Sequence, residues 1–236
     1  MRLAGLVLAL CAQASLFAQT ASVPFVGCVS YGQANVVEPP KGTSKSVSVS
    51  AKDAQALAWY TSADGDGLLA PRGWYCEGFS CSSGAMLVLS PQPIDRHLTS
   101  SEGFSGPAIE VDHTNWQSSG RYQIAEVVLR LFPAYRAFAT RTMEAMELSL
   151  PSDPYPKDTL RRKSKTVVEY DTSAHTEGLE KQSWPKKNGS SISGVAILIG
   201  DPPDLLLLSV RLPPNLSRLT PLIVHHLESD STHQEQ

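Results

Sequence analysis

The sequence predicts an α+β fold: a largely antiparallel sheet packed against a few helices, in a single globular domain behind an export signal. Three observations predict it. Short apolar strands joined by Gly/Ser or Pro/Asp turns occur in both halves of the chain, at residues 73–79 with 85–90 and at 194–199 with 205–212. Between them, apolar residues recur at three- and four-residue spacing from Ile124 to Met146, the period of a helix that buries one face. No Gly-x-Gly-x-x-Gly or phosphate-loop motif opens the regular strand and helix alternation of a doubly wound parallel sheet.

The chain opens with Met1-Arg2, the apolar run Leu3 to Leu10 and small residues at Ala14, Ala18 and Ala21, the pattern of an export signal cleaved after Ala18. Gln13 and Gln19 interrupt the apolar run, so it falls short of the roughly 18 residues of a spanning helix, and no stable membrane span is expected. Lipid attachment at Cys28, after the small residue Gly27, is the minor alternative. Removing residues 1–18 of 236 leaves 218, enough to bury a core without a dense disulfide scaffold. The formal charge of −3 becomes −4 once Arg2 is lost, which supplies no electrostatic basis for nucleic-acid binding.

Along the remainder, residues 45–49 alternate as a strand, and Ser50 with Asp53 forms a capping box for a helix through about Tyr60. The turn Asp64-Gly65-Asp66-Gly67 leads into the 73–79 and 85–90 hairpin, and residues 108–113 read as a further strand. The stripe Ile124, Val127, Val128, Leu131 is broken or restarted at Pro133 and continues through Tyr135, Phe138, Ala139, Thr142, Met143 and Met146, a face expected to pack on the sheet. The Pro-rich segment 151–156 is a possible internal boundary of the domain, 19–228. The basic run Arg161-Arg162-Lys163-Ser164-Lys165 is expected in a solvated loop before a strand at 166–171. Thr220 caps a last helix with Pro221 at its first position, and residues 229–236 form a loose polar tail.

Of four cysteines, Cys11 falls in the signal, so the exported chain keeps Cys28, Cys76 and Cys81: one disulfide and one leftover thiol. The contexts of Cys28 and Cys76 favour that pair, with Cys76 to Cys81 as runner-up across a shorter loop. The cysteine and histidine spacings lack the paired pattern of a zinc site, and no metal or cofactor is expected.

Familiar catalytic patterns fail on inspection. Asp64-Gly65-Asp66-Gly67 starts like a calcium loop, but Leu68 and Tyr75 stand at ligand positions. His175-Thr176-Glu177 lacks the downstream Pro-Cys-x-x-Cys of zinc deaminases, and Ser80 and Ser105 miss the Gly-x-Ser-x-Gly elbow. What remains is a scattered polar set: Arg72, Trp74 and Glu77; Asp112, His113 and Trp116; His175, Glu177 and Gly178. Glu77, Asp112, His113, His175 and Glu177 would make an acid/base or metal site only if the fold brought them together.

The segments Val23-Pro24-Phe25-Val26-Gly27-Cys28, Ala70-Pro71-Arg72-Gly73-Trp74-Tyr75-Cys76, His175-Thr176-Glu177-Gly178-Leu179 and Leu205 to Pro213 together resemble a family of uncharacterised secreted bacterial proteins. The likeness spans most of the mature chain. It implies an exported bacterial protein and transfers no activity, cofactor or catalytic residue. Cys81 is extra to that pattern, which implies pairing of Cys28 with Cys76 and a free Cys81. The expected function is therefore a non-catalytic periplasmic or extracellular module that binds an envelope component or another protein. The alternative is an envelope-polymer or peptide hydrolase using a His/carboxylate site.

Overall fold

The computed structural model describes residues 20–33, 35–63, 65–95, 102–145, 147, 158–176, 178–179 and 183–234. The expected signal at 1–18, the boundary at 151–156, and Asp64, Met146 and Glu177 lie outside the described residues. In chain order the elements are β1 (Thr20–Gly27), β2 (Val29–Tyr31), β3 (Val36–Val37), β4 (Ser44–Ser48), α1 (Ala51–Ala54), β5 (Leu57–Thr61), β6 (Leu68–Pro71), β7 (Tyr75–Cys81), β8 (Gly84–Ser90) and β9 (Ala108–Thr114). Then come α2 (Arg121–Leu131), α3 (Arg136–Glu144), β10 (Thr159–Arg162), β11 (Val167–Asp171), β12 (Ser193–Ile199), β13 (Asp204–Arg211) and α4 (Thr220–Gln234).

A nine-stranded sheet in the order β10-β11-β12-β13-β9-β8-β7-β2-β3 carries the fold, antiparallel except where β2 runs parallel to β7. A smaller sheet, β4-β1-β5-β6, stands beside it, with β1 and β5 parallel. The chain crosses from one sheet to the other at Cys28, whose backbone N–H still donates to Thr61 on the small sheet. Cys28 is disulfide-bonded to Cys76 on β7, Cα to Cα 5.4 Å, which pins the crossing; the bond also leaves no Cys28 thiol for lipid attachment.

Both faces of the large sheet are covered, and the sequence of β13 shows why. Leu205 and Leu207 join α2 and α3 in one core cluster, while Leu206, Leu208 and Val210 join the small sheet and α4 in the other. A strand buried on both sides reads as a continuous apolar run instead of alternating with polar residues. On the helix side the predicted stripe is buried at Ile124, Val127, Val128, Leu131, Ala139 and Met143, and Pro133 opens a 3-10 turn that separates α2 from α3. On the other side Leu219, Ile223, Val224 and Leu227 pack against Val47, Leu57, Trp59 and Leu69. Gly194 is where two strands meet closely: a Cβ there would lie 1.8 Å from the Leu208 carbonyl and 2.7 Å from the Tyr170 hydroxyl. That hydroxyl donates to Leu208 O at 2.9 Å and lies 2.8 Å from Ser209 Oγ.

Three expectations are corrected. The helix predicted through Tyr60 is one turn, although Ser50 caps it as expected, the Asp53 N–H donating to Ser50 Oγ at 3.1 Å. Leu57 to Tyr60 are all buried as β5 between β1 and β6, because aromatic and apolar residues flanked by two strands gain more from the sheet than from a short helix. The basic run is not all loop: Arg161 and Arg162 belong to β10, whose register sets Arg161 opposite Glu169 and within ion-pair distance of Glu169 (2.9 Å) and Asp171 (2.6 Å). The tail from Ser229 continues as helix to Gln234, and buried Ser231 donates its hydroxyl to Leu227 O at 2.8 Å.

Candidate functional site

Strand β9 reads Ala-Ile-Glu-Val-Asp-His-Thr, and strand geometry sends alternate side chains to opposite faces. Pairing with β8 and β13 sets Asp112 beside Met86 and Leu207 on the α2/α3 side, and His113 beside Ala85 and Leu206 on the other. The neighbours Asp112 and His113 therefore diverge. His113 takes a different partner, its Nδ1 lying 2.9 Å from Asp66 Oδ2, with both side chains partly exposed. The Asp66 hydrogen bond raises the His113 pKa against the opposing effect of burial.

Glu110, two residues before Asp112, shares its face and is 3% exposed. Its Oε2 accepts hydrogen bonds from Ser183 Oγ at 3.0 Å and the Trp184 N–H at 3.2 Å. Two backbone hydrogen bonds between Phe104 and the Trp184 and Lys186 segment hold that cover in place. Buried Arg211 anchors the same segments by donating to the carbonyls of Gly106, Phe104 and Lys186. Burial, and then the nearby Asp112 charge, push Glu110 up to about 8. Burial likewise pushes Asp112 up to about 6. Sequence reasoning named Asp112 and missed Glu110, although a glutamate at the alternate position of an apolar strand was the available signal.

The raised Glu110 value has a consequence for stability. Below the unfolded value of 4.5 its contribution to folding is fully present, and it is lost as pH rises through about 8. Urea midpoints measured from about pH 5 to 8.5 are expected to fall with pH, and Glu110→Gln to flatten that fall. An unchanged slope in the variant would contradict the assignment.

Asp112 closes one end of a rung that crosses four strands: Tyr31 on β2 pairs with Phe79 on β7, Phe79 with Met86 on β8, and Met86 with Asp112 on β9. This rung lines a cavity of about 420 Å³, with Gln123 of α2 and Cys81 of the β7–β8 hairpin at its walls. The rings of Tyr31 and Phe79 lie 6.0 Å apart, and Phe79 stacks on Trp184 at 5.2 Å. The aromatic wall is thus tied to the segment that covers Glu110. Cys81 is a free, exposed thiol 2.8 Å from Ser83 Oγ.

The other predicted residues lie elsewhere. Glu77 faces the same side as Glu110, since both pair with Val88, but two strand spacings, about 10 Å, separate their backbones. Arg72 donates to Ala54 O, and Trp74 is buried with the small sheet. Trp116 packs on Phe138 at 4.4 Å between ring centres, and its backbone N–H donates to Asp204 Oδ1. His175 is exposed in the loop after β11, with a φ of 65° and its N–H donating to Asn188 O. Gly178 accepts from Arg130 Nη1, and Glu177 lies outside the described residues. Asp112 and Glu77 thus share a sheet face with Glu110, while His113 and His175 do not join them. Among the described residues no group of three or more His, Cys, Asp or Glu side chains is placed to hold a metal ion. In comparisons with known proteins, no family model, curated protein or solved structure matches the chain.

Proposed function

We propose that this protein is an exported bacterial binding module without catalytic activity, and that its ligand occupies the cavity on the Tyr31, Phe79, Met86 and Asp112 rung. The observation that carries this reading is the cavity itself: about 420 Å³, walled by aromatic and thioether side chains, with a buried carboxylate at one end. Small-ligand sites combine just such an apolar wall with a few fixed polar groups. The Cys28 to Cys76 disulfide suits an oxidising compartment, and among the described residues no helix is long and apolar enough to cross a membrane. Binding is favoured over hydrolysis because His113 is turned to the opposite face and engaged with Asp66, so among the described residues no histidine meets Asp112 at the cavity.

A cavity-filling substitution tests this reading. A library of aromatic and aliphatic fragments screened by protein-observed NMR is expected to shift resonances of Tyr31, Phe79 and Gln123. Met86→Trp, which puts a larger ring into the cavity, is expected to weaken those fragments by about tenfold or more, the cost of roughly 1.4 kcal/mol of lost contact. Equal binding to both proteins, or shifts confined to another surface, would overturn the assignment.

A further inference from the structure

Resting on that reading, we infer that the ligand is an organic ammonium: a protonated amine on a compact apolar body, with its N–H groups on Asp112 and its body between Tyr31, Phe79 and Met86. The argument starts from charge. Among the described residues that line the cavity there is one carboxylate, Asp112, and no lysine, arginine or histidine. Asp112 is only 6% exposed, so its charge has lost most of its water, and buried carboxylates are ordinarily matched by a cation or by several donors. The strand cannot supply that cation: His113 projects to the opposite face and is engaged by Asp66. The nearby donors Ser183 Oγ and the Trp184 backbone N–H are engaged by Glu110, so they do not serve Asp112.

The other walls select among ligand classes. The rings of Tyr31 and Phe79 offer π faces that attract a cation, and the Met86 thioether adapts to an apolar body. An anionic ligand would meet the like charge of Asp112. A neutral apolar ligand would bury that carboxylate further with only the neutral Thr114 hydroxyl as its partner. An ammonium satisfies the acid, the aromatic wall and the apolar lining together, and 420 Å³ lies within the roughly 300–1,000 Å³ range of small-molecule sites.

The test uses three probes of one shape, phenethylammonium, 2-phenylethanol and 3-phenylpropionate, titrated against the folded, disulfide-bonded protein at pH 7.5, above the Asp112 value of about 6. The ammonium is expected to bind about tenfold or more tighter than the alcohol, as a charge-assisted hydrogen bond should provide, with the carboxylate weakest. Asp112→Asn is expected to bring ammonium and alcohol to parity, and His113→Gln to leave the preference intact. Parity in the unmodified protein, or a preference that survives Asp112→Asn in a variant with a native NMR spectrum, would overturn the inference. If all three probes fail while other fragments bind and are lost in Met86→Trp, the ammonium inference falls and the binding reading stands. If no fragment binds the cavity, both fall.

Discussion

Asp158→Ala is expected to destabilise the protein by about 3–5 kcal/mol, the penalty for leaving one partner of a buried ion pair uncompensated. Arg130 on α2 donates through Nε (2.7 Å) and Nη2 (2.9 Å) to the two carboxylate oxygens of Asp158, and the side chains are only 7% and 4% exposed. Its Nη1 also reaches the Gly178 carbonyl at 3.3 Å, so one guanidinium joins the helix layer to the entry of β10 and to the loop after β11. Removing the carboxylate strands that charge away from water. Replacing both partners with apolar residues, Arg130→Met with Asp158→Leu, is expected to recover most of the loss, since the pair's attraction is largely offset by its own desolvation. Urea denaturation checks both. A single variant costing under about 1 kcal/mol, or a double variant as unstable as the single, would show that the pair does not stabilise in this way.

Removal of the disulfide by Cys28→Ala with Cys76→Ala is expected to cost about 4 kcal/mol, because the bridge closes a loop spanning 48 residues and restricts the unfolded chain. The native state should also feel the loss. Cys28 lies at the crossing between the two sheets, and Tyr31, three residues on, forms part of the cavity wall. The double variant is therefore expected to bind the cavity's fragments more weakly even where it remains folded. Cys81 is retained, so the comparison isolates the bridge from the free thiol. Unchanged urea midpoints in the variant would mean that the denatured chain gains nothing from release of the loop.

How far the sequence can be read depends on how local each feature is. The β7–β8 hairpin and the strands β12 and β13 are legible because alternation, Gly/Ser punctuation and a Pro/Asp turn lie within each segment. The helical stripe and its interruption at Pro133 are legible for the same reason: the missing N–H and fixed φ of proline act on its own turn. Strand β5 is not, because Leu57 to Tyr60 satisfy a short helix as well as a strand until β1 and β6 arrive on either side. Strand β1, not among the elements expected from the sequence, becomes a strand through partners farther along the chain. The end of α4 fails differently: its serines read as loose polar residues, but in a helix their hydroxyls donate to carbonyls one turn back.

The candidate site shows the same division. Asp112 and His113 are adjacent in sequence and stand together among the candidate residues, but in a strand adjacency sends them to opposite faces. Glu110 and Asp112 share a face by alternation alone, yet that face becomes a cavity only because Phe79, Met86 and Tyr31 arrive on the same rung from three other strands. By itself the sequence determined the mixed class of the fold, its antiparallel hairpins, the broken helical face and a preference for the Cys28 and Cys76 pair. Tertiary structure alone decided the order of nine strands, the switch between sheets at Cys28, and which acid lines a cavity and which lies beneath a cover. The physical reason is range: propensity, alternation and turn chemistry act over a few residues, whereas strand order and buried charge depend on partners far apart in sequence, as β13 is from β9 by about two-fifths of the chain.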